Sequence, residues 1–232
     1  MIIDNGYFID EIFIPHAKPS ITDDVTAISA DMTSFIENYS EEALVKCLGY
    51  ALFKEFSSEL DINAPNGLKV TAATKWNDLL NGKEYTDTSG KLVYWKGIRY
   101  KTGEVYNKSF LADYTYYKYE KSEDDDRTSV GNVKQQAKNA DVVSKTPKVV
   151  AAWRRFVKAV QGEKPLPTAV VKNFCGREWI GGIDWYGNQD EYVSLYKFIN
   201  DSNKLVPDTY ANFRPFYFGN INNFGIWYLK AW

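Results

Sequence analysis

The sequence predicts a mainly α-helical fold: a helical bundle core with an inserted β-hairpin and an irregular, aromatic-rich C-terminal arm or small subdomain. The first observation is an aromatic stripe at helical spacing, made of Tyr106, Phe110, Tyr114 and Tyr117. The second is a matching stripe in a later basic stretch, made of Val149, Trp153, Phe156 and Val160. Because aromatic side chains bury roughly 150–250 Å² each, we expect the two stripes to pack together.

Residues 1–20 are predicted to form an extended arm. Their apolar patch is followed by Pro15 and Pro19, and proline disfavours helix. Apolar residues then recur at helical spacing over residues 22–37. A second helix is predicted from Asn38 or Ser40 onward; it is apolar over much of its circumference, so it should be buried on more than one side. These helices begin a core domain that spans residues 21–162.

The middle of the chain combines a turn, a short helix and a hairpin. Residues 61–68 have the composition of a turn, and a helix over residues 70–80 is expected to end at Gly82. Residues typical of strands flank the sequence DTSG at 87–90, which predicts a hairpin over about residues 83–101. The helix with the aromatic stripe is then expected to begin after Gly103 and to run to residue 119.

A polar stretch over residues 120–144 predicts an exposed loop. Its acidic run at 123–126 offers oxygen ligands for a cation but lacks the spacing of a calcium loop, so a solvated acidic loop is the preferred interpretation. Thr146 and Pro147 suit the start of the basic helix, and Gly162 suits its end. Residues 163–232 form the predicted C-terminal arm or subdomain, with a short helix over 190–199.

Charge and aromatic content favour an interaction protein. The net charge is only −2, but residues 1–64 hold twelve Asp and Glu against three Lys, a balance of −9. Residues 130–172 hold nine Lys and Arg against two acids, a balance of +7. Such regions are either complementary faces of neighbouring subunits or two separate solvated surfaces. Aromatic residues make up 16% of the chain, and Tyr and Trp are enriched in interfaces.

The residues of common catalytic and metal sites are scarce. His16 is the single histidine, and Cys47 and Cys175 are the two cysteines, with no metal-binding spacing. A nucleophile pair of Cys175 and His16 is the weaker interpretation, and nucleotide-binding and hydrolase motifs are absent. The N-terminus lacks a basic region typical of a signal peptide, and no run is long enough for a membrane span. We therefore predict no catalysis, no metal, no cofactor and no membrane association.

Two alternative functions stay open at this point. A carbohydrate-binding module or glycosidase-like protein would use the aromatic residues of the C-terminal region, with Trp179, Asp184 and Trp185 lining a sugar site; a packed loop is the simpler interpretation. A DNA-contacting protein would use the cations of the basic helix. An isoelectric point near 5.6 argues against binding of free DNA.

The order of short aromatic signatures resembles that of a known protein group. A buried helix carrying CLGYALFKEF is followed by KWNDLLNG, a hairpin ending YWKGI, the helix SFLADYTYYKY, a polar loop, a basic helix with a central Trp, and a tail ending NNFGIWY. In this order the chain resembles the neck ring (adaptor), or head-to-tail connector, proteins of tailed bacteriophages, of the crAss-like type of Bacteroidetes. The resemblance covers residues 30–160 and the last dozen residues. The matching positions are Gly49, Trp76, Gly82, Trp95, Gly97, Tyr114 and Tyr117.

The resemblance implies a structural subunit that forms a ring, commonly of twelve copies, in the neck of the virion after assembly in the host cytoplasm. Its partners would be other copies, the portal protein and the adjacent neck or tail ring protein, and non-specific contact with packaged DNA stays open. The long irregular tail departs from the compact connectors of this group. The residues that we expect at the oligomer or partner interface are Arg154, Arg155, Lys158, Trp179, Trp185, Phe224, Trp227 and Trp232.

Overall fold

The computed structural model describes residues 2–14, 25–61, 63–122, 126–128, 131–133, 146–162, 192–216 and 218. Over these residues the fold is mixed α/β, with helices dominating. The helices are α1 (Val25–Leu48), α2 (Tyr50–Ser58), α3 (Thr74–Asn81), α4 (Phe110–Ser122), α5 (Thr146–Gln161) and α6 (Leu195–Leu205). The strands are β1 (Lys83–Thr86), β2 (Leu92–Trp95), β3 (Arg99–Thr102), β4 (Val105–Ser109), β5 (Asp126–Thr128) and β6 (Gly131–Val133). The predicted helical class is confirmed in part, because three antiparallel hairpins, β1–β2, β3–β4 and β5–β6, occur where the sequence predicted one.

The N-terminal segment differs from the predicted extended arm. Its described residues form two short 3-10 turns, Asn5–Tyr7 and Asp10–Ile12. Ile3, Phe8 and Ile14 are at most 2% exposed. The turns pack against β4, α4 and α5. The apolar patch that suggested an arm therefore belongs to the core of the same chain.

α1 runs without a break through Asn38 and Ser40, where the sequence predicted that a new helix begins. Its sequence contains neither Gly nor Pro, so nothing ends it early. The break comes at Gly49, whose φ is 84°. A Cβ atom there would lie 2.7 Å from the backbone oxygen of Arg214. Glycine suits both the positive φ and the close approach, so a long-range contact sets this boundary.

The hairpin predicted over residues 83–101 is present as β1–β2, and α3 ends at Gly82 as predicted. The hairpin turn is held by Asp87. Its carboxylate accepts hydrogen bonds from the backbone amides of Ser89 and Lys91 at 2.9 and 3.0 Å. Asp at the first position of a turn favours this geometry, which explains why the local sequence predicted it.

The second hairpin, β3–β4, lies where the sequence predicted the start of the aromatic helix. Gly103 has a φ of 73° in the turn of this hairpin, and Tyr106 lies on β4 instead of on a helix. α4 begins only at Phe110, where the hydroxyl of Ser109 accepts a hydrogen bond from the Leu111 amide at 3.1 Å. The predicted helix start after Gly103 is therefore wrong, because the spacing of Tyr106 matched the helical period by coincidence.

The predicted packing of the aromatic helix against the basic helix is confirmed. The ring centroids of Tyr114 and Phe156 are 4.8 Å apart, and those of Tyr117 and Trp153 are also 4.8 Å apart. α1 packs against α4 as well. α4 thus lies between α1 and α5, and its rings form the centre of the core.

α6 returns the described C-terminal part of the chain to the same core. The helix begins later than predicted, with the Ser194 hydroxyl as its N-cap. The ring of Phe198 stacks on Trp95 of β2, with centroids 5.6 Å apart and planes at 15°. Residues 192–216 therefore pack within the central domain, in contrast to the predicted arm or subdomain, whereas residues 163–191 and 219–232 lie outside the described residues.

Candidate interaction surface

Three of the predicted contact residues lie in the described part of the chain, all on α5. Arg154 and Lys158 are exposed, and Arg155 is half-buried. The remaining predicted contact residues, together with the residues named for the sugar site and for the nucleophile pair, lie outside the described residues; they are His16, Cys175, Trp179, Asp184, Trp185, Phe224, Trp227 and Trp232.

Arg155 is held by two carboxylates of its own chain. Its Nε donates a hydrogen bond to Asp113 on α4 at 2.8 Å, and its Nη1 pairs with Glu11 in the N-terminal turn. Glu11 belongs to the acidic part of the sequence and Arg155 to the basic part. At this position the two regions of opposite charge therefore meet within one molecule.

Asp113 is the buried member of this group. Its side chain is only 16% exposed. Burial raises the pKa of Asp113 to about 6, although the Arg155 guanidinium lowers it. The pair thus joins α4 to α5 at the cost of desolvating a carboxylate.

The Trp153 ring is partly buried against the core, where other rings engage it. Its ring packs against Tyr117 and, at 6.4 Å between centroids, against Tyr114. Phe218 contacts it edge-on at 6.0 Å. The prediction that this ring belongs to the apolar stripe is confirmed. If α5 contacts a partner, it does so through its cationic side chains.

Most rings of the described residues serve the protein's own core. The sequence suggested that many aromatic side chains lie in interfaces. Thirteen are instead buried within the chain: Tyr7, Phe8, Phe56, Trp76, Trp95, Phe110, Tyr114, Tyr116, Tyr117, Phe156, Phe198, Tyr210 and Phe213. Packing between the helices and hairpins of the chain itself explains why these thirteen aromatic residues are present. Their burial does not require a partner.

A smaller set of large apolar side chains stays at the surface. These side chains are between 49% and 102% exposed among the described residues. They are Phe13, Tyr50, Val70, Leu92, Val105, Tyr192, Leu205, Val206 and Phe216. Tyr50 follows the break at Gly49, and the Phe216 amide donates a hydrogen bond to the Lys46 carbonyl at 2.8 Å, so these two rings lie near the same end of α1.

A cluster of rings and a cation on the hairpin surface was missed by sequence reasoning. The Lys96 ammonium lies 3.9 Å from the ring centroid of Tyr192 and 5.3 Å from that of Tyr100. Tyr94 contacts Tyr192 edge-on at 5.6 Å. The Tyr and Lys residues around β2 are visible in the sequence, but Tyr192 comes from a distant segment. No local pattern could have joined them.

A second charged group links α6 to the β1–β2 turn. Lys197 donates hydrogen bonds to Asp87 at 3.0 Å and to Asp201 at 2.6 Å. The Tyr85 hydroxyl donates to Asp201 at 3.0 Å. Asp87 and Asp201 are 8% and 4% exposed. Both carboxylates are thus engaged in fastening helix to hairpin.

The described residues offer little for catalysis or metal binding. Cys47 is fully buried, and burial raises the pKa of its thiol well above the ordinary value, which keeps it protonated. Within the described ranges there is no group of three or more His, Cys, Asp or Glu that could hold a metal ion. Among the helices described, none is long and apolar enough to cross a membrane.

Comparison of the chain with known protein families, curated proteins and solved structures found no match. The function is therefore inferred from the residues themselves.

Proposed function

We propose that the chain is a structural virion protein, a ring-forming subunit of the head-to-tail neck that joins the portal to the next neck or tail component without catalysis. The observation that carries this proposal is the set of nine large apolar side chains exposed beside a filled core. An apolar side chain gains when it leaves water for a contact with another protein, and a permanent assembly supplies such contacts.

The resemblance to neck proteins supports the proposal because its residues have architectural roles. The backbones of Gly82 and Gly97 touch: a Cβ atom on Gly97 would lie 2.7 Å from the Gly82 nitrogen. Trp95, between them in sequence, donates a hydrogen bond from its indole to the Leu79 carbonyl at 3.0 Å. These residues form the junction between α3 and the β1–β2 hairpin. Proteins that share this fold would be expected to keep them.

The other matching residues lie at similar junctions. Gly49 marks the break between α1 and α2. Trp76 of α3 packs against Phe56 at 5.7 Å. The Tyr114 hydroxyl of α4 donates a hydrogen bond to Glu42 of α1 at 2.9 Å. The signature therefore consists of residues that join the helices to one another.

The close carboxylates also favour a structural role. Asp87 and Asp201 are joined by Lys197. Burial lowers the pKa of Lys197, but the hydrogen bonds that its ammonium donates to Asp201 and Asp87 outweigh burial and raise it. A protonated lysine between two carboxylates fastens elements together and is neither a free base nor a nucleophile.

Assembly with the portal tests the proposal. Purified chain at micromolar concentration would be mixed with the portal protein of its source particle and examined by sedimentation velocity and negative-stain electron microscopy. We expect closed rings, alone or seated on the portal. A chain that stays monomeric and ignores portal and neck proteins, that turns over a substrate, or that binds glycans in a manner lost in Trp185→Ala, would contradict the proposal.

A further inference from the structure

The chain contains three Asn–Gly pairs, Asn5–Gly6, Asn66–Gly67 and Asn81–Gly82, and all of them lie in described segments. In such a pair the backbone nitrogen of the glycine can attack the side-chain amide carbon of the asparagine, because glycine has no Cβ atom to obstruct the approach. The attack requires that the asparagine side chain rotates and that the backbone around the pair opens, so hydrogen bonds to either group slow it. The structure around each pair therefore decides how readily it reacts.

Asn81 is held in place by its own side chain. Its Nδ2 donates hydrogen bonds to the Asn66 carbonyl at 3.3 Å and to Oδ1 of Asn77 at 2.9 Å. Its Oδ1 accepts a hydrogen bond from Nε of Arg99 at 3.0 Å. The Gly82 amide closes the last turn of α3. Attack at this pair would break all of these bonds, so we expect it to be slow.

Asn5 lies in the first N-terminal turn, which packs against β4. Its side chain is half-buried, and its Oδ1 atom is buried. The Gly6 amide, which would be the nucleophile, donates a hydrogen bond to the Asp4 carboxylate at 2.7 Å. This pair is therefore protected by burial and by a charged acceptor.

Asn66 is exposed on a β-turn that is closed by one backbone hydrogen bond, from the Gly67 amide to the Ala64 carbonyl at 2.9 Å. Pro65 at the second position and glycine at the fourth favour such a turn. Within the described residues the Asn66 side chain makes one hydrogen bond, in which its Oδ1 accepts from the Leu68 amide at 3.2 Å. A turn of this kind opens locally at a lower cost than the end of a packed helix.

We infer that Asn66 is a site of spontaneous covalent modification, at which the chain converts its own asparagine to aspartate and isoaspartate. The Gly67 nitrogen forms a bond to the side-chain amide carbon of Asn66. The bond from this carbon to the amide nitrogen breaks, and ammonia leaves with the proton of the attacking amide. Water then opens the resulting succinimide at either carbonyl, which yields aspartate or isoaspartate. The inference does not depend on the ring-forming role proposed above.

The modification places a negative charge beside a cation. A Cβ atom on Gly67 would lie 2.9 Å from Nη2 of Arg99, so the guanidinium packs against this turn. That nitrogen is buried and has no hydrogen-bond partner among the described residues. In the isoaspartate product, the former main-chain carbonyl of residue 66, which accepts a bond from Asn81, becomes a free carboxylate. An ion pair with Arg99 would tie the modified turn to β3.

Peptide mapping by mass spectrometry during incubation of the folded chain at neutral pH tests the inference. We expect Asn66 to convert at least about tenfold faster than Asn5 or Asn81, because the other two pairs must open packed structure first. In concentrated urea the three rates should agree within about threefold, because the tertiary contacts that distinguish the pairs are lost. The inference is overturned if Asn5 or Asn81 converts as fast as Asn66 in the folded chain. It is also overturned if Asn66 converts in urea but stays unchanged in the folded chain.

Two matched variants give an independent measurement. Asn66→Ser removes the reactive amide and keeps a side-chain oxygen that can support the turn. Asn63→Ser makes the same change at a neighbouring exposed asparagine, which alanine follows instead of glycine. Isoaspartate in each aged chain would be measured by enzymatic methylation, and circular dichroism would check the fold. We expect Asn66→Ser to lose most of the signal and Asn63→Ser to keep it. Equal signals from the two variants would contradict the assignment.

Discussion

Two mostly buried carboxylates, Asp87 in the β1–β2 turn and Asp113 on α4, each face a cation, yet their pKa values shift in opposite directions. Their side chains are 8% and 16% exposed. Asp87 is bonded to Lys197 at 3.0 Å and Asp113 to Arg155 at 2.8 Å. Proximity to a cation therefore does not decide the direction, and the other groups around each carboxylate do.

Asp87 is surrounded by donors. The Ser89 hydroxyl donates to it at 2.6 Å, and the Ser89 and Lys91 amides and the Lys197 ammonium add further hydrogen bonds. These bonds, led by that of the Ser89 hydroxyl, hold the pKa of Asp87 well below its usual range. Each of them favours the charged form, so together they outweigh desolvation.

Asp113 has fewer compensating donors. Burial raises its pKa to about 6; Arg155 and Lys108 lower it, and the nearby carboxylate of Glu11 raises it further. The comparison teaches that one opposite charge does not outweigh desolvation at Asp113, whereas several hydrogen bonds outweigh it at Asp87. A hairpin turn supplies several backbone donors at once, whereas the side of a helix supplies none.

The two sites give stability opposite dependences on pH. Asp87 has a lower pKa in the folded than in the unfolded state, so its contribution is present above about pH 4 and is lost as the pH falls below it. Asp113 has a higher pKa in the folded state, so its contribution is present below about pH 4 and is lost as the pH rises through about 6. Their sum favours greatest stability on the acidic side of neutral.

The largest effect is expected from Lys197→Met. The substitution removes the cation that Asp87 and Asp201 share, and these carboxylates are 8% and 4% exposed, so we expect a clear loss of stability. Urea unfolding at pH 7, followed by circular dichroism, measures the loss. Lys204→Met, at an exposed position on the same helix, is the matched control and should cost less than about 1 kcal/mol. A loss below 1 kcal/mol for Lys197→Met would show that solvent already satisfies both carboxylates.

The next effect is a change in pH dependence caused by Asp113→Asn. A pKa raised from 3.8 to about 6 corresponds to about 3 kcal/mol between the two protonation states. We therefore expect the variant to gain about 3 kcal/mol relative to the unmodified chain as the pH rises from 4 to 7. Urea unfolding at four pH values in this interval measures that difference.

Asp87→Asn is the counterpart that sharpens the comparison. It should leave the dependence of stability on pH between pH 4 and pH 7 unchanged, because the Asp87 carboxyl group is ionised throughout this interval. Below pH 4 the variant should lose less stability than the unmodified chain, because it has no carboxylate at this position to protonate. If both variants change the free energy of unfolding over the same pH interval, the pKa values of Asp87 and Asp113 do not shift in opposite directions.

Contacts between residues close in sequence could be predicted, whereas contacts between distant residues could not. The Asp87 turn was predictable because its donors lie within four residues, and the packing of α4 on α5 followed from spacing that each helix carries itself. The Lys197 contact was not predictable, since it joins residues 110 apart. The break at Gly49 was missed for the same reason, because the segment that requires it comes from Arg214.

For the candidate surface, the sequence could predict exposure but not contacts with distant residues. Of the three described contact residues, Arg155 proved to be bonded within the chain, since Glu11 reaches it from the N-terminal turn. Exposure of Arg154 and Lys158 followed from the helical period, because the apolar stripe fixes which side of α5 faces solvent. The exposed Glu41 of α1 contributed only to an overall charge balance in the sequence, because nothing there distinguishes it from Glu42, which is paired with Lys46 and Lys118.

The smallest effect is expected from Glu11→Gln, which tests how Asp113 is set. Glu11 is 77% exposed, and an exposed ion pair contributes less than about 0.5 kcal/mol, so stability at pH 7 should hardly change. The carboxylate of Glu11 nevertheless raises the pKa of Asp113. Its removal should therefore move the pH midpoint of the Asp113 transition downward, measured by carboxyl-carbon NMR titration. An unchanged midpoint would mean that Glu11 does not influence the pKa of Asp113. A loss of stability above about 1.5 kcal/mol would mean that this ion pair, and not the apolar patch, fastens the N-terminal turns.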